Sequence, residues 1–157
     1  MDNKTYLDQL DRIKKSIWLL DLKIERKEQA LHSISSPGLE PHYSNGAPSG
    51  DAAHAKRIIE LETLRANRKT IMEIYQHFEQ EVETILDNQN TECSEILADR
   101  YLKNMTLREI GYHFGYGKTT ISRKMMQGID SLVLPKQPFI AENAFKASGV
   151  QEFLVAA

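Results

Sequence analysis

The chain has 157 residues, 41% of them hydrophobic and 27% charged, which excludes a disordered or fibrous polypeptide and leaves room for one ordinary domain or two small ones. Its formal net charge of -2 excludes a uniformly cationic surface, so any basic face must be local. One cysteine, Cys93, excludes an internal disulfide and suits a reducing compartment.

The first residues, MDNKTYLDQL, are polar and acidic, unlike a signal peptide. No apolar run approaches the ~18 residues that a membrane span needs. The expectation is a cytoplasmic protein without a membrane partner. Asp2 or Asn3 is placed to cap a helix running to about His32. Tyr6, Leu10, Ile13, Ile17, Leu20, Ile24, Lys27 and Leu31 alternate spacings of 4 and 3, a heptad seam interrupted at Lys27. Leu7, Trp18, Leu19 and Leu22 widen the apolar face, so this helix expects a second neighbour or a partner chain.

Residues 33–50 hold three prolines, three glycines and five serines, the composition of a flexible connector. Asp51 is the expected cap of a helix reaching about Asp87. Its seam is Arg57, Leu61, Leu64, Arg68, Ile71, Tyr75, Phe78, Val82 and Ile85. Two heptad helices joined by a connector fold most simply as an antiparallel coiled-coil hairpin over residues 1–90. Arg57 and Arg68 then need acidic partners or an exit to solvent, with Asp21, Glu25, Glu60 and Glu62 as candidates. Arg68 either sets the register or snorkels past the seam.

Asn88 to Thr91 breaks the chain, and a third helix is expected from Glu92 to Lys103, stopped by a left-handed Asn104. Cys93 near its start reads as a small buried residue, since no histidine lies nearby to activate it. Thr106 and Glu109 form a capping box that opens a fourth helix with Leu107, Ile110 and Phe114 on one face. Gly111 on that side suggests close approach of a second helix, and Gly115-Tyr116-Gly117 reads as a turn with both glycines free to take positive φ. The next helix runs from Lys118 to about Gln127, with Ile121 and Met125 inward and Tyr116 closing the corner.

Lys118, Thr119, Thr120, Ser122, Arg123 and Lys124 are left facing outward. A helix N-terminus offers free N–H groups and the positive dipole end to phosphate. One turn on, Ser122 and Arg123 reach base edges, and arginine bonds guanine O6 and N7 together. The chemistry is that of a helix-turn-helix, trihelical over residues 91–132, reading double-stranded DNA. A nucleotide loop is the rival, but Gly111 and Gly117 are separated by five residues rather than four, and no strand pattern precedes them. The histidines are too scattered for zinc, and nothing calls for a cofactor or an enzyme.

Charge is distributed accordingly. Residues 1–90 carry 12 basic against 15 acidic side chains, residues 91–132 carry 6 against 5, and the helix from Lys118 to Gln127 carries +3. Residues 133–157 form a tail in which Pro135 and Pro138 end regular structure and Ala141 to Ala147 make one or two helical turns. The final Phe153-Leu154-Val155-Ala156-Ala157 is expected to dock, and it also resembles small-apolar degrons ending in Ala-Ala.

In order, Arg100-Tyr101-Leu102, Thr106-Leu107-Arg108-Glu109-Ile110-Gly111, Phe114-Gly115-Tyr116 and Lys118-Thr119-Thr120-Ile121-Ser122-Arg123 resemble the phage and prophage late-transcription regulators of the ArpU/RinA type. In that family a helical hairpin precedes a module similar to region 4 of bacterial sigma factors. The resemblance covers roughly residues 5–132 and implies Lys118, Thr119, Ser122 and Arg123 as DNA readers in a bacterial host cell. It also implies activation of late genes, with RNA polymerase as a partner. Asn104 stands where the family usually has glycine, and Thr119-Thr120 dilute the basic helix. The expectation is an all-α, non-enzymatic transcription regulator, self-associating or touching polymerase through the hairpin. The alternatives are a small terminase subunit on packaging-site DNA and a helical interaction module that binds no DNA.

Overall fold

In the computed structural model the chain is all-α. The structure describes residues 1–34 and 49–157, which form six α-helices and, among the described residues, no strand. The helices are α1 (Asn3–Ile34), α2 (Ser49–Gln89), α3 (Glu92–Tyr101), α4 (Leu107–Phe114), α5 (Lys118–Asp130) and α6 (Ala141–Ala147). Most of the expected connector, residues 35–48, lies outside the described residues. None of the described helices is long and apolar enough to cross a membrane.

Asp2 caps α1 by accepting from the Thr5 N–H at 2.7 Å. That bond holds its carboxyl below the usual range. Asn3 does not cap: its Nδ2 donates to the carbonyls of Ile129 and Leu132 at 2.8 and 3.0 Å, tying the start of α1 to the end of α5.

The two long helices pair antiparallel. The Tyr6 hydroxyl donates to Glu81 at 2.6 Å, Arg68 bonds Asp21, and Arg65 meets Glu28 at 2.6 Å, so partners run in opposite order along the chain. From α1, Tyr6, Leu10, Ile13, Leu20 and Ile24 are buried; from α2, Leu61, Ile71, Phe78 and Val82. Burying each such side chain is worth ~1.5–3 kcal/mol, whereas a partly exposed ion pair is worth ~0–1 kcal/mol. Packing therefore holds the pair, and Arg68 with Asp21 at most selects its register. Of the four acidic candidates, Asp21 takes Arg68 and Glu60 lies 3.6 Å from Lys27, while Arg57 is exposed.

Helix α2 starts two residues ahead of the expected cap Asp51 and runs on through Gln89, because the break is made by Asn90 at φ 46°. Thr91 and Ser94 then form a reciprocal capping box at 2.9 and 3.1 Å. It starts α3 by satisfying two otherwise orphaned N–H groups. The helix closes at Tyr101, two residues short of the expected end, and Asn104 takes the left-handed conformation at φ 58°.

One apolar core crosses the boundaries expected at residues 90 and 132. It joins α1 and α2 to Leu97 and Tyr101 of α3, Ile129 of α5, and Ala141, Phe145 and Val150 of the tail. Gln9, 4% exposed, sews the tail down by donating to the Phe139 carbonyl at 3.0 Å and accepting from the Ala141 N–H at 2.8 Å. Phe139 stacks on Phe78 with centroids 4.2 Å apart. Arg12 donates to the Val155 carbonyl at 2.7 Å, and the Val155 N–H donates to Ser16 Oγ at 3.0 Å, so the last turn docks on α1.

Candidate nucleic-acid interface

Helix α4 opens at Thr106, whose Oγ1 accepts from the Glu109 N–H at 3.2 Å. The return bond expected of a capping box is absent here; the Thr106 hydroxyl instead donates to the Glu109 carboxylate at 3.1 Å. Helix α4 ends at Gly115, left-handed at φ 75°, and the N–H groups of Gly115 and Tyr116 both reach the Gly111 carbonyl at 2.9 and 3.0 Å. Gly111 is required for a reason other than the expected one. A Cβ there would stand 2.7 Å from the Tyr116 carbonyl oxygen, so it is the turn and not the second helix that presses against it. Only one glycine of the turn uses positive φ. Gly117 is extended, at φ -74° and ψ 163°, and caps α5 without a side-chain bond. The first N–H groups of α5 therefore lack a capping side chain.

A small second core fixes the crossing of these helices. Ile96, Ile110 and Ile121 are fully buried, with Met105, Leu107, Phe114 and Met125 packed around them. Further along α5, Gly128 lets α5 lie against α3: a Cβ would meet Leu97 Cδ1 at 2.9 Å and Cys93 Cβ at 3.1 Å. Cys93 is half-buried in that contact, in keeping with a packing role.

Beneath α4, Asp99 of α3 is 1% exposed. Its carboxylate lies 2.6 Å from His113 Nδ1 and 3.4 Å from Lys103 Nζ, and its carbonyl accepts from the Met105 N–H at 2.9 Å. A buried carboxylate so enclosed locks the angle between α3 and α4, since leaving it unpaired is costly.

The six residues expected on the reading helix divide into two groups. Lys118, Thr119, Ser122 and Arg123 are exposed, with none of the other described residues covering them. Thr120 and Lys124 are half-buried. Lys124 turns back, 3.8 Å from Glu92 and 4.9 Å above the Tyr116 ring. Glu92 also raises the titration of the Tyr116 hydroxyl through a hydrogen bond. Glu92 of α3, distant along the chain, thus places a carboxylate beside Lys124 of α5.

Sequence reasoning passed over two residues beside this face. Arg108 and Tyr112 stand four apart on α4, with Tyr112 75% exposed and the Arg108 guanidinium 5.8 Å from its ring. With Leu107, Gly111, Gly115, Tyr116 and Lys118 they line an open cleft of about 500 Å³. An arginine and a tyrosine at that spacing on the outward side of an amphipathic helix was the available signal.

Comparison with protein-family models, with characterised proteins and with solved structures finds no match for this chain.

Proposed function

We propose that the chain is a sequence-specific binder of double-stranded DNA and a non-enzymatic transcription regulator of the cytoplasm. In this reading α1 and α2 are an antiparallel coiled-coil hairpin, and α3 to α5 are a trihelical helix-turn-helix unit with α5 as reading helix. One observation carries it: the leading half of α5 presents Lys118, Thr119, Ser122 and Arg123 to solvent, on a helix start without a capping side chain. Phosphate suits that N-terminus, and Arg123 one turn further on suits a guanine edge. The resemblance to phage late-transcription regulators adds late genes as the target and RNA polymerase as a partner, and the hairpin is the part free to meet it.

A duplex titration over a randomised pool, at two salt concentrations, tests the reading. Affinity should fall steeply with salt, by a log–log slope of about -0.9 per phosphate contact, and one sequence should be enriched. Salt-independent behaviour, or no binding at ~50 mM salt, would leave a helical interaction module instead.

A further inference from the structure

Helix α1 carries a second apolar stripe that the other described residues leave exposed. Trp18, Leu19 and Leu22 are 58%, 41% and 43% exposed. At about 100° per residue they lie on the side of α1 away from Tyr6, Leu10, Ile13 and Ile24, which face α2. The stripe continues, in steps of 4 and 3, through Asp11, Lys15, Trp18, Leu22, Glu25 and Gln29. Its first member is already taken inside the chain, since Asp11 receives Arg100 of α3 at 2.8 Å. The remainder runs past that contact into solvent.

The order of residues along this stripe is charge-complementary about its centre. Trp18 and Leu22 stand two residues either side of position 20, and Lys15 and Glu25 stand five either side. Lys15 and Glu25 are exposed, and neither has an ion partner among the described residues. We infer that this face binds a second copy of the chain, with α1 antiparallel to its counterpart about a twofold axis near residue 20. In that pairing Trp18 packs on the second copy's Leu22 and Lys15 faces its Glu25, and each contact occurs twice, as twofold symmetry requires. Leu19 approaches its own counterpart beside the axis. A partner of unrelated sequence would not need opposite charges placed at equal distances from a centre.

The patch is smaller than a standard stable interface, so the dimer is a weak one that forms when two copies are held close. Two neighbouring operator half-sites would hold them so, but the contact itself does not depend on DNA.

Trp18 is the chain's sole tryptophan and reports on the contact directly. With the full chain in the absence of DNA, raising concentration should shift its emission to shorter wavelength and reduce acrylamide quenching. Sedimentation should show the mass doubling over the same range. Lys15→Glu alone and Glu25→Lys alone should each weaken association by about tenfold, because each replaces two attractions by two repulsions. The double variant should regain most of it. These positions are exposed, so helical content should match the parent. A single-chain mass at every concentration overturns the inference. So does a doubled mass with Trp18 emission unchanged, or a double variant no better than either single one.

Discussion

His113 Nδ1 on α4 lies 2.6 Å from Oδ2 of Asp99 on α3, the one carboxylate in this part of the chain that is almost fully removed from water. The pair sets how α4, and through the turn α5, sits on its support. Replacing His113 by alanine leaves the buried carboxylate with Lys103 alone. The expected cost is ~1–3 kcal/mol of stability, the usual penalty for removing one partner of a buried polar pair. Urea denaturation measures it, and an unchanged midpoint would show that solvent already relieves Asp99.

The glycines within α4 and α5 and the one that caps α5 should respond in opposite directions. Gly111→Ala and Gly128→Ala force a Cβ to 2.7 Å from a backbone oxygen and 2.9 Å from a leucine methyl, and each is expected to lose ~1–3 kcal/mol. Gly117 is extended, with nothing within 4 Å of the position its Cβ would take. Gly117→Ser adds a capping hydroxyl and restricts the unfolded chain, for a gain of up to ~1 kcal/mol. Thermal melts of the three variants, side by side, check the order.

Lys118, Arg123 and Lys124 should contribute unequally to DNA affinity. Arg123→Ala is expected to cost ~1–3 kcal/mol on the preferred site and to relax preference there. Lys118→Ala should weaken all duplexes alike and lower the salt slope by about one. Lys124→Ala should do least, because Glu92 and the Tyr116 ring already engage the ammonium. A larger loss from Lys124→Ala than from Lys118→Ala would mean that the side chain swings out on binding.

Alkaline pH should loosen the core at identified points. Burial, aided by Glu81, raises the Tyr6 hydroxyl; burial, aided by Glu79, raises Tyr75. Burial next to Asp8 pushes Tyr101 from its ordinary 10.0 up to about 12. A group whose folded value is raised contributes stability that is complete below the unfolded value and is lost as pH climbs through the folded one. Stability should therefore hold to about pH 10 and decline towards pH 12, with the three tyrosines ionising together with loss of helix. Absorbance at the phenolate band, followed alongside circular dichroism, checks this; early ionisation of all three in a fully helical protein would contradict it.

Heptad spacing, one capping threonine and a glycine turn were enough to foresee an all-helical chain, many of the buried positions of α1 and α2, though not the exposure of Arg57 or the burial of Leu86, and the limits of α4 to within a residue or two. These features are local: they follow from which side chains recur every three or four residues and from which backbones tolerate a left-handed bend. Exposure of Lys118, Thr119, Ser122 and Arg123 was legible for the same reason, as a polar face opposite Ile121 and Met125.

What the tertiary structure decided are the contacts made between residues far apart in the chain. Gln9 bonding Phe139 and Ala141, Asn3 reaching the end of α5, and Glu92 lying beside Lys124 depend on how whole helices cross. Gly128 also acquires its meaning only where α5 meets Cys93 and Leu97. Periodicity tells which side of a helix is apolar, but not what will cover it. The same face of α1 that is buried at Leu7 is exposed at Trp18 and Leu22, and that difference lies in what packs on it rather than in its pattern.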